Sequence, residues 1–170
     1  MKKTLAITLS SVVLATILFG SILNGSKTTT MLANAASPPT NPSQQCKDAA
    51  NKISDKAEAT QSNGVCTIEL SRDSPSIQLL GHKFNEFTPQ EVRYGTVGNN
   101  NVLMIFEFTL LASEVNPVAK SFQSHDVTVT AIHNHWLFEH PILYYMHAEK
   151  TGDLNTLLQD AKDALSKTSG

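Results

Sequence analysis

"NVLMIFEFTLLASEVNPVAKSFQSHDVTVTAIHNHW", Asn101 to Trp136, is the stretch from which the fold class follows. Asn101–Leu111 carries apolar residues at both parities and is interrupted by one acid, Glu107, as expected of a buried strand. Ser113 then reads as an N-cap, with Glu114 in the first turn where the helix dipole favours an acid. Pro117 falls at the fourth helical position, early enough for its missing N–H to matter little. The helix is expected to run through Val118, Ala119 and Phe122 to about Ser124. "DVTVTAIHNHW" follows, a strand by its β-branched alternation.

The flanks extend this strand–helix–strand unit. "ILYYMHAE" (142–149) reads as another strand. "GDLNTLLQDAKDALSK" (152–167) carries a helical stripe of Leu154, Leu157, Leu158, Ala161 and Leu165, with Asp153 near its start and Lys167 at its end. Upstream, "QQCKDAANKISDKAEA" (44–59) places Cys46, Ala49, Ala50, Ile53 and Ala57 at helical spacing. Asn63-Gly64 is a turn signal. "VCTIEL" and "SIQLLGHKF" read as strands, the second bent or bulged at Gly81, and "EVRYGTV" as a shorter one ended by the loop "GNNN". The order β-α-β-β-α, preceded by α-β-β, predicts an α+β domain. Helices cover one face of a mainly antiparallel sheet, with a ferredoxin-like second half.

The chain has 170 residues and a net charge of −2, with acids and bases mixed and no basic cluster. That argues against nucleic acid as a partner, because phosphate binding depends on concentrated Lys and Arg. Met1-Lys2-Lys3 and the uncharged run Leu5–Leu23 resemble a secretory signal, with Ala33-Asn34-Ala35 as the cleavage site. An uncleaved N-terminal anchor is the alternative, since the run is long enough to cross a bilayer. Either way the rest of the chain is exported, to a secreted or extracytoplasmic location, with no other membrane contact expected. Residues 1–35 are thus the expected signal or anchor. The proline-rich 36–43 ("ASPPTNPS") is the linker, and 44–167 is the single domain. The two cysteines, Cys46 and Cys66, are expected to pair in an oxidising compartment.

Four of the six histidines lie between Thr128 and Lys150. Residues two apart on a strand share a face, so His133 and His135 point together, and by the same period Val127, Val129 and Ala131 join them. His147, on the returning strand, joins the pair if the register is of even parity, for example with His133 opposite His147; Tyr145 then shares that face. Odd parity sends His147 to the other face. Pro141 cannot donate in a ladder and favours a wide loop between the strands. His-x-His on one strand with a His on its neighbour suits a divalent transition metal, zinc or copper. Glu107 is the expected fourth ligand, or the base that orients water, because an acid inside an apolar strand needs a partner. Glu139, Trp136 and Tyr145 are expected around the site, with Glu139 and His140 less constrained in the loop. Met104 and Met146 make copper a rival to zinc. The literal letters H-N-H do not make a nuclease: that motif scatters its residues along a ββα unit, and no basic surface supports DNA binding. His82 and His125 read as exposed turn residues.

At "LLASEVNPVAKSFQSHDVTVTAIHNHWLFEHPILYYMH" (110–147) the chain resembles a domain-of-unknown-function family associated with the mycobacterial lipoproteins LppY and LpqO. The resemblance rests on Glu114–Val118, on the "V-T-A-(I/L)-H-N-H" strand at Val129–His135, on the acid Glu139, and on Tyr145-Met146-His147. Glu107 falls where the family carries an acid, usually aspartate. The resemblance implies an exported α+β domain and makes the hairpin histidines a family feature. It implies no activity. Many relatives are longer, with two copies of the domain, and those that are lipoproteins need a lipobox cysteine that this chain lacks.

The sequence therefore points to an exported metal-binding domain, with His133, His135, His147 and Glu107 as ligands. Hydrolysis of a small or cell-envelope substrate is the activity that an open metal site would allow. The alternative is a non-catalytic cell-envelope module that binds a ligand or partner without metal, in a pocket lined by Trp136, Tyr144 and the histidines.

Overall fold

The computed structural model describes residues 41–72, 74–84 and 89–169. The expected signal or anchor and most of the linker lie outside them. In chain order the elements are α1 (Gln44–Ile53), β1 (Glu58–Ser62), β2 (Val65–Ser71), β3 (Ile77–Leu79), β4 (His82–Phe84), β5 (Pro89–Gly98) and β6 (Asn101–Leu111). They continue with α2 (Ala112–Ser124), β7 (Thr128–His133), β8 (Glu139–His140), β9 (Leu143–Asp153) and α3 (Leu154–Leu165). The fold is α+β, as expected.

Six strands form one antiparallel sheet in the order β1-β2-β5-β6-β9-β7. β6 and β7 are both antiparallel to β9, which lies between them, so β6-α2-β7 is a split β-α-β unit of ferredoxin-like type. Two tight hairpins build the sheet's other half. Asn63 and Gly64 take positive φ (50° and 78°) between β1 and β2, and Asn99 and Asn100 (52° and 61°) between β5 and β6. This is the geometry that matches the twist of paired strands, and asparagine and glycine adopt it most readily.

The main core lies on one face of this sheet. On β6, Val102, Met104, Phe106, Phe108 and Leu110 are all buried, and their cross-strand partners Met146 and Ala148 on β9 are buried with them. Phe122 of α2 packs on both Phe106 and Phe108, with ring centroids 5.0 and 5.4 Å apart. Leu157, Leu158, Ala161 and Ala164 of α3, and Cys46, Ala49 and Ala50 of α1, complete the cluster. The Cys46–Cys66 disulfide pins α1 to β2, with Cα atoms 5.7 Å apart. Asp153 caps α3 by accepting from Thr156 N–H at 2.9 Å.

Several local readings are corrected. The first helix stops at Ile53, because residues from Glu58 onward pair as β1 with β2. The residue before α2's first turn is Leu111, not Ser113. Glu114 supplies the capping bond itself, its Oε2 accepting Leu111 N–H at 2.8 Å. Glu114 also meets Arg72 in a buried, two-pronged ion pair (3.0 and 2.9 Å) and accepts from Ser169 N–H and Oγ–H, both at 2.7 Å. Burial opposes ionisation of this carboxyl, but the guanidinium and the N–H and O–H donors outweigh it and hold the pKa at about 2. "SIQLLGHKF" is a hairpin rather than one bent strand, turning at Leu80-Gly81, and β3 also pairs with β8 in a second, three-stranded sheet. That small sheet belongs to a satellite core of Ile77, Leu143 and Tyr145, packed with Leu79, Leu111 and Trp136.

Candidate histidine site on the open face

Alternation sends every other residue of β6 and β9 away from the helices. Glu107 and His147 are direct partners in this register, and so are Thr109 and Tyr145. Glu107 in turn lies opposite Glu91 of β5, Glu91 opposite Glu69 of β2, and Glu69 opposite Glu58 of β1. One level of the sheet therefore carries a row of four carboxylates ending at an imidazole. Like charges placed opposite one another are unfavourable. Arg93 offsets two of them, contacting Glu91 closely through Nε and Glu107 at 3.4 Å through Nη2. Even so, burial raises the pKa of Glu91.

The register of β7 decides whether the histidines join this row. Thr128 and Val129 pair with Glu149 and Ala148, but Ala131 and His133 pair with His147 and Tyr145. The irregularity at Thr130 inserts one residue and changes the parity. Val129 therefore faces the helices with Ala148, whereas Ala131 and His133 face the open side with His147. The expectation that Val127, Val129 and Ala131 share the histidine face is overturned for the two valines: Val127 is buried in the helix-side core. His133 is opposite Tyr145 rather than His147, which makes the two histidines diagonal neighbours, still within reach of long side chains.

That reach is used. Nε2 of His133 lies 2.9 Å from Nε2 of His147. On the other side of the same ring, His147 Nδ1 lies 3.9 Å from Glu107 Oε2. The His133 and His147 rings are near-parallel, with centroids 5.0 Å apart. His135, beyond the end of β7, stacks on Tyr145 at a centroid distance of 3.5 Å and lies 5.1 Å from the His133 ring. Trp136 meets His135 edge-on at 5.3 Å. Burial lowers the pKa of His135, His133 and His147 add to this, and the negative charges of Glu107 and Glu139 oppose it. Burial also pushes the Tyr145 phenol up to about 12. Both rings are thus held in their uncharged forms at neutral pH.

Of the residues expected to cooperate, Glu107, His133 and His147 form one chain of near contacts, and His135, Trp136 and Tyr145 form an aromatic stack beside it. Glu139 is buried on β8, with Oε1 accepting Leu143 N–H at 2.9 Å. Met104 and Met146 are fully buried on the helix side. They cannot reach the histidines across the sheet, which removes the thioether argument for copper. Tyr144 pairs with Leu110 on that same side, the face opposite the histidines. His125 is not a bare turn residue: its ring lies between Asp160 (3.3 Å) and Asp163 (3.2 Å) of α3. His82 is exposed on β4. Among the described residues, no three His, Cys, Asp or Glu side chains already stand as a ready-made metal cage.

Sequence reasoning missed Glu91 and Arg93. Counting back from the two-residue turn at Asn99-Asn100 would have placed Val92 opposite Glu107; the irregularity between Thr96 and Gly98 shifts the register by one residue and brings Glu91 there instead.

The architecture and its open-face histidines define an α+β domain with a cross-strand imidazole pair backed by a carboxylate. Over residues 48–167 the chain matches the family described as Domain of Unknown Function (DUF1259), and it belongs to that family. No curated protein and no solved structure matches it.

Proposed function

We propose that this is an exported domain that binds a divalent transition metal, zinc or copper, at His133 and His147. Glu107 backs His147, and His135 is the third imidazole within reach. The observation that carries this reading is the 2.9 Å approach of the two Nε2 atoms. Neutral imidazoles gain at most one hydrogen bond from such a meeting, whereas two nitrogens at 2.0–2.1 Å from a shared zinc must lie within about 4 Å of each other. A separation of 2.9 Å subtends about 90° at such bond lengths, and a small opening reaches the tetrahedral angle. Glu107 fits the usual arrangement in which a carboxylate orients a ligating histidine through its other ring nitrogen.

Export is supported by the Cys46–Cys66 bridge, which suits an oxidising compartment, and by the apolar run Leu5–Leu23. When bound, the metal would supply Lewis acidity for hydrolysis of a small or cell-envelope substrate. The chain's own part is to bring the imidazoles together across two strands and to place a carboxylate behind one of them.

The test is calorimetric titration of chelator-treated, untagged protein with Zn²⁺ and Cu²⁺. One equivalent should bind to the wild type, and affinity should fall by at least about tenfold in His133→Ala and in His147→Ala. Equal heats in wild type and both variants would overturn the assignment.

A further inference from the structure

The satellite core opens onto the surface as an apolar groove beside the histidines. Leu79, Leu80, Trp136, Leu137 and Phe138 enclose about 260 Å³. Leu80, Leu137 and Phe138 are 80%, 82% and 78% exposed, and they come from two separate turns. Leu80 stands at φ 50°, where a branched apolar residue is disfavoured and asparagine or glycine would be easier. Three large apolar side chains held in water at one mouth stabilise nothing in the fold itself.

A buried carboxylate adjoins this apolar lining in the small sheet. Register sets Glu139 directly opposite Leu79, so both side chains leave the small sheet on the same face. Glu139 is 5% exposed, and its Oε2 is buried with no hydrogen bond from any described residue. Leaving a buried carboxylate oxygen without a donor costs about 1–3 kcal/mol or more. The charge of Glu139 is felt by both His135 and Tyr145 of the neighbouring histidine site. Trp136 joins the two regions, belonging to the satellite core, lining the groove and meeting His135.

From this arrangement we infer that the groove binds a neutral amphiphile. Its alkyl chain of medium length lies against Leu79, Leu80, Trp136, Leu137 and Phe138, and its N–H or O–H head donates to Glu139 Oε2. The volume is below the ~300–1,000 Å³ of clefts for drug-sized ligands, which suits a single short chain better than a helix of a partner protein. An acceptor-only head such as a carboxylate would face Glu139 with like charge. The inference does not depend on metal.

Trp136 is the chain's one tryptophan, so its emission reports on the groove directly. The full chain is titrated, in chelator, with octanamide, hexanamide and octanoate. Octanamide should shift the emission saturably. Hexanamide should bind roughly tenfold more weakly, from about 0.8 kcal/mol for each methylene removed. Octanoate should also be weaker by about tenfold or more, for want of a donor. Leu137→Ser/Phe138→Ser, at exposed positions, should leave the fold intact and abolish the response. Glu139→Gln keeps an acceptor for Leu143 N–H, places an NH₂ group at the free position, and should reverse the preference in favour of octanoate. Equal binding of amide and carboxylate by the wild type, no dependence on chain length, or an unchanged response in the serine double variant would each overturn the inference. So would sedimentation with phosphatidylcholine vesicles without any response to octanamide, which would assign the patch to a lipid surface. An emission that follows protein concentration alone would assign it to a second copy of the chain, and would also count against it.

Discussion

The two faces of β6 and β9 are built from alternate residues of the same strands and do opposite work. Toward the helices stand Phe106, Phe108, Met146 and Ala148, all buried. Toward the open side, at the level of the site, stand Glu107, Thr109, Tyr145 and His147, each ionisable or hydrogen-bonding. A sheet with one apolar face needs only that face to fold. The other face is then available for chemistry that would destabilise a core. The bulge at Thr130 passes β7 from the first role to the second within three residues.

Substitutions across the two faces should separate these roles. The largest effect is expected on the helix side, where Phe108→Ala should cost about 3–5 kcal/mol by chemical denaturation. His133→Ala and His147→Ala should each stay within about 0.5 kcal/mol in metal-free buffer. If the histidine variants destabilise as much as Phe108→Ala, the open face is framework and the division fails.

The buried Arg72–Glu114 pair is a polar exception on the framework side, and pH exposes it. Glu114 has a folded pKa of about 2, below its ordinary 4.5. Its contribution is therefore fully present above pH 4.5 and is lost as pH falls through that value toward 2. By linkage this amounts to about 3 kcal/mol. Melting temperatures measured between pH 6 and pH 2 should fall steeply in the wild type. Glu114→Gln should be less stable at neutral pH and show a shallower acid loss. Parallel curves for the two proteins would contradict the assignment.

Reducing Cys46–Cys66 should lower stability by a similar amount, about 3 kcal/mol, with the cost read from denaturation with and without reductant. The smallest framework effect belongs to the groove mouth. Leu137→Ser should change stability by no more than about 0.5 kcal/mol, because that side chain is already in water.

The framework was more legible in the sequence than the site. β6, the extent of α2 to Ser124, the stripe of α3 and the cysteine pairing all follow from periodicity and composition. Those signals are local, and the helix-side core enforces them. β1 escaped because Glu58–Ser62 has no apolar alternation; it is a strand only because β2 offers a partner across Asn63-Gly64. β8 is two residues long and has no signature of its own. The site depended on parity, and parity on a single inserted residue at Thr130 that no propensity marks. The even register needed for His133 and His147 to meet is present in that part of β7, by way of a bulge rather than by simple alternation. The two methionines show the converse: adjacency in sequence to Tyr145 and His147 put Met146 on the opposite face.

Metal content tests the central claim most directly. Untagged protein, purified without chelator, should carry about one equivalent of zinc or copper per chain by elemental analysis, and His133→Ala/His147→Ala should carry none while melting as the metal-free wild type does. Sub-stoichiometric metal in the wild type, with a melting temperature indifferent to chelation, would contradict the account.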